Sequence, residues 1–505
     1  MSDAAEPTSL ADIALRRARR DASTPFLLTI EEAAPHAVRT LSYGEVLGRA
    51  RVLARALSGA GVARGDRVGC YLSNSPSWVV ASLAVWMNGA AVAAAGTLLP
   101  PVEATNLFEL AAATHVVALA GAPDLTGGFT VLSVDDEGRF ADSDPGAFDD
   151  FRVPEPDDLA VAIFTSGTTG RPKGITHTHA DIITAARSVA GGYARNSDYR
   201  PDPAPAHLAP GVLFNPFGHL AGYSRLAFRM WIGRPTVIVP RFTVAAVKAL
   251  LARFEMDTLQ LTPTMIYMLA VADEPLDLSA VKYVTSGTAP LPVATREAFD
   301  ARYGVPVMQA YGMTEVGAVA QERYDDVVAG RHGPGSVGRL ATGVEVKIRY
   351  LADDRPAGEG EISKEFIGGT PVPTDDGWFA TGDVGRLDDG ILYITGRVQE
   401  KIIVGGFNVY PAEVEDAARR CALVRDAVVV GLPDERLGEI PVAGIVWAAR
   451  EPDEAALAEE LRGVLAPYKV PRAFFALQAV PLTPRDKVDR HRAAELARAE
   501  LGLNA

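Results

Sequence analysis

Cysteine is nearly absent. Only Cys70 and Cys421 occur in 505 residues, far apart, so neither a disulfide framework nor a cysteine zinc site can be built from them. A basic block is also missing. The formal net charge is −14, and with no lysine- or arginine-rich run to offset it, nucleic acid is a poor partner. The opening stretch, MSDAAEPTSLADIALRRARRDA, lacks an apolar signal core and carries Asp3, Glu6 and Asp12. It reads as a short tail leading into an amphipathic helix, not a targeting peptide, which predicts a cytoplasmic protein. Long apolar runs are scarce. Trp78 to Leu99 is uncharged and about as long as a membrane-crossing helix. Asn88–Gly89 and Gly96 interrupt it, so a helix, a turn and a buried strand are expected, with no membrane span. Internal repeats and low-complexity linkers are absent too.

What is present is a chain that exceeds one ordinary domain, with 48% hydrophobic residues to bury. Helical and strand patterns alternate. YGEVLGRARVLARALSGAG reads as a helix ending on glycine, DRVGCYLS as a strand, and FTVAAVKALLARFEM as a helix followed by the strand-like TLQLTP. The alternation predicts an α/β fold of helix-covered, mostly parallel sheets. From about Val344 the pattern turns β-like, through VEVKIRYL, GEISKEF and ILYITGR. After Arg397 comes a smaller unit, in which the helices PAEVEDAARRCA and DEAALAEELRGVLA accompany the strands EKIIV, DAVVVGLP and VAGIVWAA. The expected division is 1–396, a large N-terminal domain with a β-rich subdomain, and 397–505, a small mobile C-terminal α+β domain.

FTSGTTGRPKG, Phe164 to Gly174, follows the strand-like Leu159 to Ile163 and precedes the helical ADIITAARSVAGGYAR. A loop of small residues between a strand and a helix can turn backbone N–H groups toward an anion. Thr165, Ser166, Thr168 and Thr169 supply hydroxyls, Gly167 and Gly170 free the backbone, and Lys173 supplies charge. This is not the nucleoside-triphosphatase loop, which needs glycine before its lysine and Ser/Thr after it; Pro172 and Gly174 stand there. Gly333, Gly335 and Gly338 in GPGSVG spell a dinucleotide fingerprint, but no strand–turn–helix unit surrounds them, so a loop is expected. AYGMTE, Ala310 to Glu315, sets an aromatic face beside a hydroxyl and a carboxylate. DGWFATGDVG puts Asp383 on a glycine turn. ITGRVQEKIIVGGFNVYPAEVE carries Arg397 and the pair Gly405–Gly406, and PLTPRDKVDR carries Lys487.

Together and in this order, these segments resemble the adenylate-forming superfamily of acyl-CoA synthetases, stand-alone adenylation domains and beetle luciferases, and most of all a bacterial acyl-CoA ligase. The resemblance runs from DRVGCYLSNSPSWV through Lys487. It implies that a carboxylate attacks the α-phosphate of ATP, giving an acyl-adenylate and pyrophosphate, and that the thiol of coenzyme A then displaces AMP. On that resemblance Thr165, Ser166, Gly167, Thr168, Thr169 and Lys173 would cradle the β- and γ-phosphates. Thr314 would touch the α-phosphate, and Glu315 would help hold Mg²⁺. Tyr311, within Ala310–Tyr311–Gly312–Met313, would stack on adenine across from a wall made by Gly287, Thr288, Ala289 and Pro290. Asp383 would accept from the ribose hydroxyls, assisted by Arg397. Lys487 would bridge the carboxylate and the α-phosphate in the first step. The small domain would then turn about Gln399, bringing Gly405 and Gly406 to the pantetheine channel. His219, in NPFGHLAG, would stand near the reacting carboxylate. No acid lies between Asn215 and Tyr223 to hold an amine, which implies an acid without a free α-amine.

The sequence departs from the family pattern at several points. Gly218 stands in place of an aromatic and Thr288 in place of a second glycine. The stretch between Glu361 and Asp383 is short. Gln399 replaces the usual Asp or Lys of the hinge, and Asp486 replaces the glycine before the catalytic lysine. Gly218 would enlarge the acyl pocket, which points to a bulky apolar acid, polycyclic or long-chain. Asp486 would oppose the approach of Lys487 to two anions. A second expectation is therefore a relative that mainly thioesterifies a preformed acyl-adenylate supplied by a partner adenylating enzyme. A third is a stand-alone adenylation enzyme that loads a carrier protein in trans.

Overall fold

The computed structural model describes residues 6–31, 34–140, 153–166, 172–196, 209–341, 343–349, 360–365, 378–405, 407–449, 452–483 and 488–502. Its first large sheet has six strands, in the spatial order Thr130–Val134, His115–Leu119, Arg67–Leu72, Ala91–Gly96, Leu159–Ser166 and Pro172–Thr178. The first five run parallel and the last is antiparallel. The apolar stretch from Trp78 resolves as expected into the helix Pro76–Met87, a turn and the strand Ala91–Gly96. Every residue of that helix is buried. The Asn88 amide closes it by donating to the Ala54 and Ala84 carbonyls, and Gly89 reverses the chain at φ 68°. Among the described residues no helix is long and apolar enough to cross a membrane.

A second sheet has four strands, Ala34–Ser42, Pro25–Glu31, Thr236–Ile238 and Gly211–Leu213. The third has nine. It starts with the parallel strands Thr258–Leu261, Tyr283–Ser286 and Val307–Met313, then turns antiparallel from Gly317–Gln321 onward and ends at Val346–Arg349. The β-rich part thus continues one edge of a helix-covered sheet. Gly335 and Gly338, from the discarded fingerprint, lie at the entrance to the strand Ser336–Leu340, with no helix following. A Cβ at Gly338 would fall 2.2 Å from the Glu322 nitrogen, so close strand packing accounts for that glycine.

The small C-terminal domain has a five-stranded sheet of Phe407–Val409, Ile402–Val404, Gly438–Trp447, Val424–Asp434 and Ala473–Ala476. The helices Pro411–Arg419, Glu454–Val464 and Arg490–Glu500 accompany it. The strand Ala473–Ala476 and the last helix were not anticipated from the sequence. One contact joins the two parts at a helix end. Val293–Tyr303 begins after Pro292, which offers no capping side chain. Asp416 of the small domain lies close to the Val293 N–H there.

One expectation is overturned. Phe164–Gly174 does not join a strand to a helix. Leu159–Ser166 turns back as the antiparallel strand Pro172–Thr178, and the helix His179–Asn196 begins only afterwards. The alternation Ile175–Thr176–His177–Thr178 is short, but it carries the two-residue period of a strand. Lys173 therefore sits on a strand, directly across from Thr165.

Candidate active site

A cleft of about 2990 Å³ is lined by residues of both the large part and the small domain. Much of it lies at the carboxyl ends of the parallel strands of the nine-stranded sheet, where ligands bind in open α/β folds. Gly287 to Pro290 leave the strand Tyr283–Ser286 there. Thr288 takes φ 75°, a left-handed conformation that a β-branched residue rarely adopts. The family glycine that it replaces would enter this conformation without strain.

AYGMTEVG forms a hairpin. The strand Val307–Met313 pairs with Gly317–Gln321, and Thr314 and Glu315 occupy the tip. A Cβ at Gly312 would fall 2.5 Å from the Gly317 carbonyl oxygen, so only glycine allows the two strands this close. Thr314 is buried and Glu315 half-buried, and both line the cleft with Ala310, Tyr311 and Met313.

Asp383 and Arg397 lie opposite each other in neighbouring antiparallel strands, Trp378–Asp388 and Ile391–Arg397. Arg397 Nε donates to Asp383 Oδ1 at 2.7 Å, and the Tyr311 hydroxyl donates to Oδ2 at 2.5 Å. The Asp383 N–H in turn donates to Thr381 Oγ1 at 3.1 Å. Asp383 is only 3% exposed. Burial, then the adjacent Asp383, pushes the Tyr311 phenol well above its usual range, so it remains an O–H donor. Burial opposes the charge on Arg397, but Asp383 outweighs it and raises the guanidinium further. Each Asp383 oxygen retains a lone pair for another donor.

His219 is the N-cap of the helix Leu220–Ile232, and its Nδ1 accepts the Ala221 N–H at 3.1 Å. That bond puts the proton of the neutral ring on Nε2. A Cβ at Gly222 would fall 2.6 Å from the Pro216 carbonyl oxygen. The spacing of Pro216, His219 and Gly222 is therefore that of a self-packed turn which fixes the histidine. Trp78 Nε1 holds the same helix to the core by donating to the Tyr223 hydroxyl at 2.7 Å. His219 lines the cleft.

Two other sequence candidates stand apart. Gly218 faces the backbone at Gly96, where a Cβ would have 3.7 Å of room, and is not part of the cleft lining. Gly405 turns the hairpin between Ile402–Val404 and Phe407–Val409 at φ 57°, also outside the lining. Gln399, on the short turn Val398–Glu400, does line the cleft. Lys173 lines it from its strand, and Thr165 and Ser166 lie on the neighbouring strand. Gly167, Thr168, Thr169, Gly406, Asp486 and Lys487 lie outside the described residues.

Two features escaped the sequence reading. Arg490, three residues beyond Lys487, donates to Glu400 at 3.1 Å and to the buried Glu415, tying the end of the lysine segment to the turn at Gln399. Ala221, Ser224, Arg225 and Phe228 continue the cleft wall from His219. Their three- and four-residue spacing puts them on one helical face, a signal that was present in the sequence.

A single continuous cleft with these groups on its walls defines an enzyme of nucleotide chemistry. The chain belongs to the AMP-binding enzyme family, which matches residues 16–370, with the AMP-binding enzyme C-terminal domain matching residues 413–487. It is similar to a methyl-dioxo-octahydroindenyl-propanoyl:CoA ligase of Rhodococcus jostii, 32% identical over 89% of this chain and 92% of that one. It is also similar to the long-chain-fatty-acid–CoA ligase FadD13 of Mycobacterium tuberculosis, 30% identical over 89% and 91% of the two chains. The ATP-bound structure of MatB from Rhodopseudomonas palustris superposes with a TM-score of 0.81 at 25% identity, covering 97% of this chain and 99% of that one.

Proposed function

We propose that this chain is an acid–thiol ligase that converts a carboxylic acid without a free α-amine to its coenzyme A thioester through an acyl-adenylate. The observation that carries the reading is the one cleft that gathers Lys173, the Thr314–Glu315 tip, the Tyr311–Asp383–Arg397 cluster and His219. The relatives named as CoA ligases over most of their length support it. ATP, Mg²⁺ and coenzyme A are the co-substrates and cofactor of such a reaction, and a solved relative holds ATP with a magnesium ion.

In the first step the substrate carboxylate oxygen forms a bond to the α-phosphorus, and the bond to the pyrophosphate oxygen breaks. This brings an anion to a polyanion, so the site must supply positive charge and dipoles. Lys173 faces the β- and γ-phosphates together with the glycine-rich loop, and Thr314 faces the α-phosphate. Glu315 would hold Mg²⁺, a hard ion that suits a carboxylate oxygen. That ion neutralises phosphate charge when bound. Asp383 receives the ribose hydroxyls on the lone pairs that Tyr311 and Arg397 leave, and His219 offers its Nε2–H to the acid. Lys487 bridges acid and phosphate. In the second step the thiolate sulfur attacks the acyl carbon and AMP leaves. The small domain turns about Gln399 between the steps, which brings Gly405 and Gly406 to the thiol's path. The acid is large: Phe228 and Met268 give the cleft apolar wall beyond His219.

Two separate measurements over a panel of acids test this: pyrophosphate release with ATP, and thioester formation from synthetic acyl-adenylates. The ligase reading expects both with the same acid, and it falls if no acid supports either. The presence of Asp486 beside Lys487 favours one alternative, an enzyme that mainly performs the second half. Thioester formation without pyrophosphate release, restored by Asp486→Gly, would establish that alternative. Transfer to a carrier protein in place of coenzyme A is read in the same assay.

A further inference from the structure

Resting on the ligase reading, the next question is what the far end of the acid looks like. The helix that begins at His219 serves as a ruler. Its cleft-facing positions run through Ala221, Ser224, Arg225 and Phe228. Arg225 lies six residues past His219, or about 9 Å along the axis at ~1.5 Å per residue. It therefore meets the part of the substrate remote from the reacting carboxylate.

Arg225 has no partner among the described residues. Among the described residues its guanidinium donates no hydrogen bond and meets no carboxylate at ion-pair distance, yet its nitrogens are not sealed from the cleft. Burial alone pulls it down to about 10, which leaves it charged at neutral pH. Two buried arginines elsewhere in the protein are compensated: Arg296 pairs with Glu322 at 3.1 Å and Arg419 with Asp426 at 2.8 Å. Arg225 is half-buried, and a partly desolvated charge with no partner among the described residues is retained where a ligand completes it.

The surroundings deepen the positive potential. Arg229, one turn further on, is 3% exposed and satisfied by neutral acceptors, donating to the Val212 carbonyl at 2.5 Å and to Gln260 Oε1 at 3.0 Å. Gly211 makes room for it, since a Cβ there would fall 2.5 Å from Arg229 Nε. Burial, then Arg225 and Arg234, holds Arg229 well below the usual arginine range. Arg234 has Asp257 at 2.5 Å. Among the described residues, the three guanidinium groups of Arg225, Arg229 and Arg234 meet one carboxylate, Asp257, at this end of the cleft.

We propose that the acid activated here carries a second anionic group, a carboxylate or a sulfonate, which Arg225 binds at the end of the acyl pocket remote from His219. The body of the acid spans the wall between the two, past Ala221 and Ser224, whose hydroxyl donates to the Leu220 carbonyl at 2.9 Å. An Arg–carboxylate pair formed in a desolvated pocket favours the doubly charged acid over its methyl-ended analogue, because the analogue leaves the guanidinium unpaired.

The test pairs straight-chain dicarboxylates and ω-sulfonated acids, from malonate to dodecanedioate in length, with monoacids of equal length. Pyrophosphate release by the full-length enzyme gives kcat/KM for each. In parallel, non-hydrolysable acyl-sulfamoyl adenosines ending in carboxylate or methyl are titrated for binding. At one chain length the anionic member should win by roughly 10- to 100-fold in both measurements, and Arg225→Met should abolish that ratio while Arg225→Lys retains part of it. Equal or better performance by the methyl-ended members of the wild-type enzyme overturns the proposal, and this comparison needs no variant to fold. Persistence of the ratio in Arg225→Met overturns the role of Arg225, as does an equal loss for both members, which would place the arginine on the nucleotide. Should no acid give a thioester while the analogues still show the anionic preference, the ligase reading fails and the second anion stands.

Discussion

Relief of the strain at Thr288 should make the protein more stable and its nucleotide site worse. Thr288 holds φ 75° in the wall of the cleft. A left-handed conformation costs an L-residue about 1–2 kcal/mol, and β-branching puts threonine at the upper end. Thr288→Gly removes that cost but adds about 0.5–1 kcal/mol of extra chain entropy in the unfolded state. The net gain is roughly 1 kcal/mol, which is a rise of about 1 °C in the melting temperature of a domain this long. Thr288→Ala keeps a Cβ in the strained conformation and should gain distinctly less. The same strain pre-organises the wall, because the chain at Gly287 to Pro290 has fewer alternatives with threonine than with glycine. KM for ATP should therefore rise in Thr288→Gly by several-fold as the melting temperature climbs. Thermal unfolding with and without AMP, next to ATP kinetics, reads both. A Thr288→Gly protein that melts at or below the parent would refute the strain argument, and one that melts higher with unchanged KM would refute the pre-organisation.

Asp383→Asn keeps the size of the side chain but takes the charged partner from Arg397, so KM for ATP should rise about tenfold, by roughly the value of one charge-assisted hydrogen bond; an unchanged KM would detach this cluster from the nucleotide. The contact between Asp416 and the start of Val293–Tyr303 should depend on pH. Burial, against the pull of Arg419, raises Asp416 from 3.8 to about 6. The docked state thus holds its proton more tightly than the undocked one, and its contribution is full below about pH 4 and lost as pH rises through about 6. Protease cleavage near Gln399 should accordingly be slower at pH 5 than at pH 8, and Asp416→Asn should flatten that difference; a pH-independent parent would sink the linkage.

Much of the fold was legible because burial leaves a period. Pro76–Met87 is buried on all sides and reads as apolar on all sides, and the Asn88–Gly89 break announces its end. The proposed nucleotide site stood out as segments, since Tyr311, Thr314, Glu315, Asp383 and Arg397 stand in short stretches of unusual composition. Their mutual geometry was not. That Asp383 and Arg397 are directly opposed depends on the register of two strands, and register is set by pairing across the sheet, which no local pattern records. The hairpin after Ser166 was missed because its second strand is short and opens on proline. Arg225 was missed for a different reason. A charged residue on an amphipathic helix normally marks the solvent face, and only the packing of Tyr223 and Phe217 around Trp78 shows that this helix turns its polar side toward a cleft.

The helix Leu220–Ile232 has a practical consequence for engineering. Its first turn holds the chemistry in place through His219, Gly222 and Tyr223, while Ala221, Ser224, Arg225 and Phe228 project from the same rigid rod. Tyr311, Asp383 and Arg397 lie instead on strands of the nine-stranded sheet. A combinatorial library limited to those four positions would therefore sample substrate range almost independently of turnover machinery. New acids could be reached by single replacements along one element.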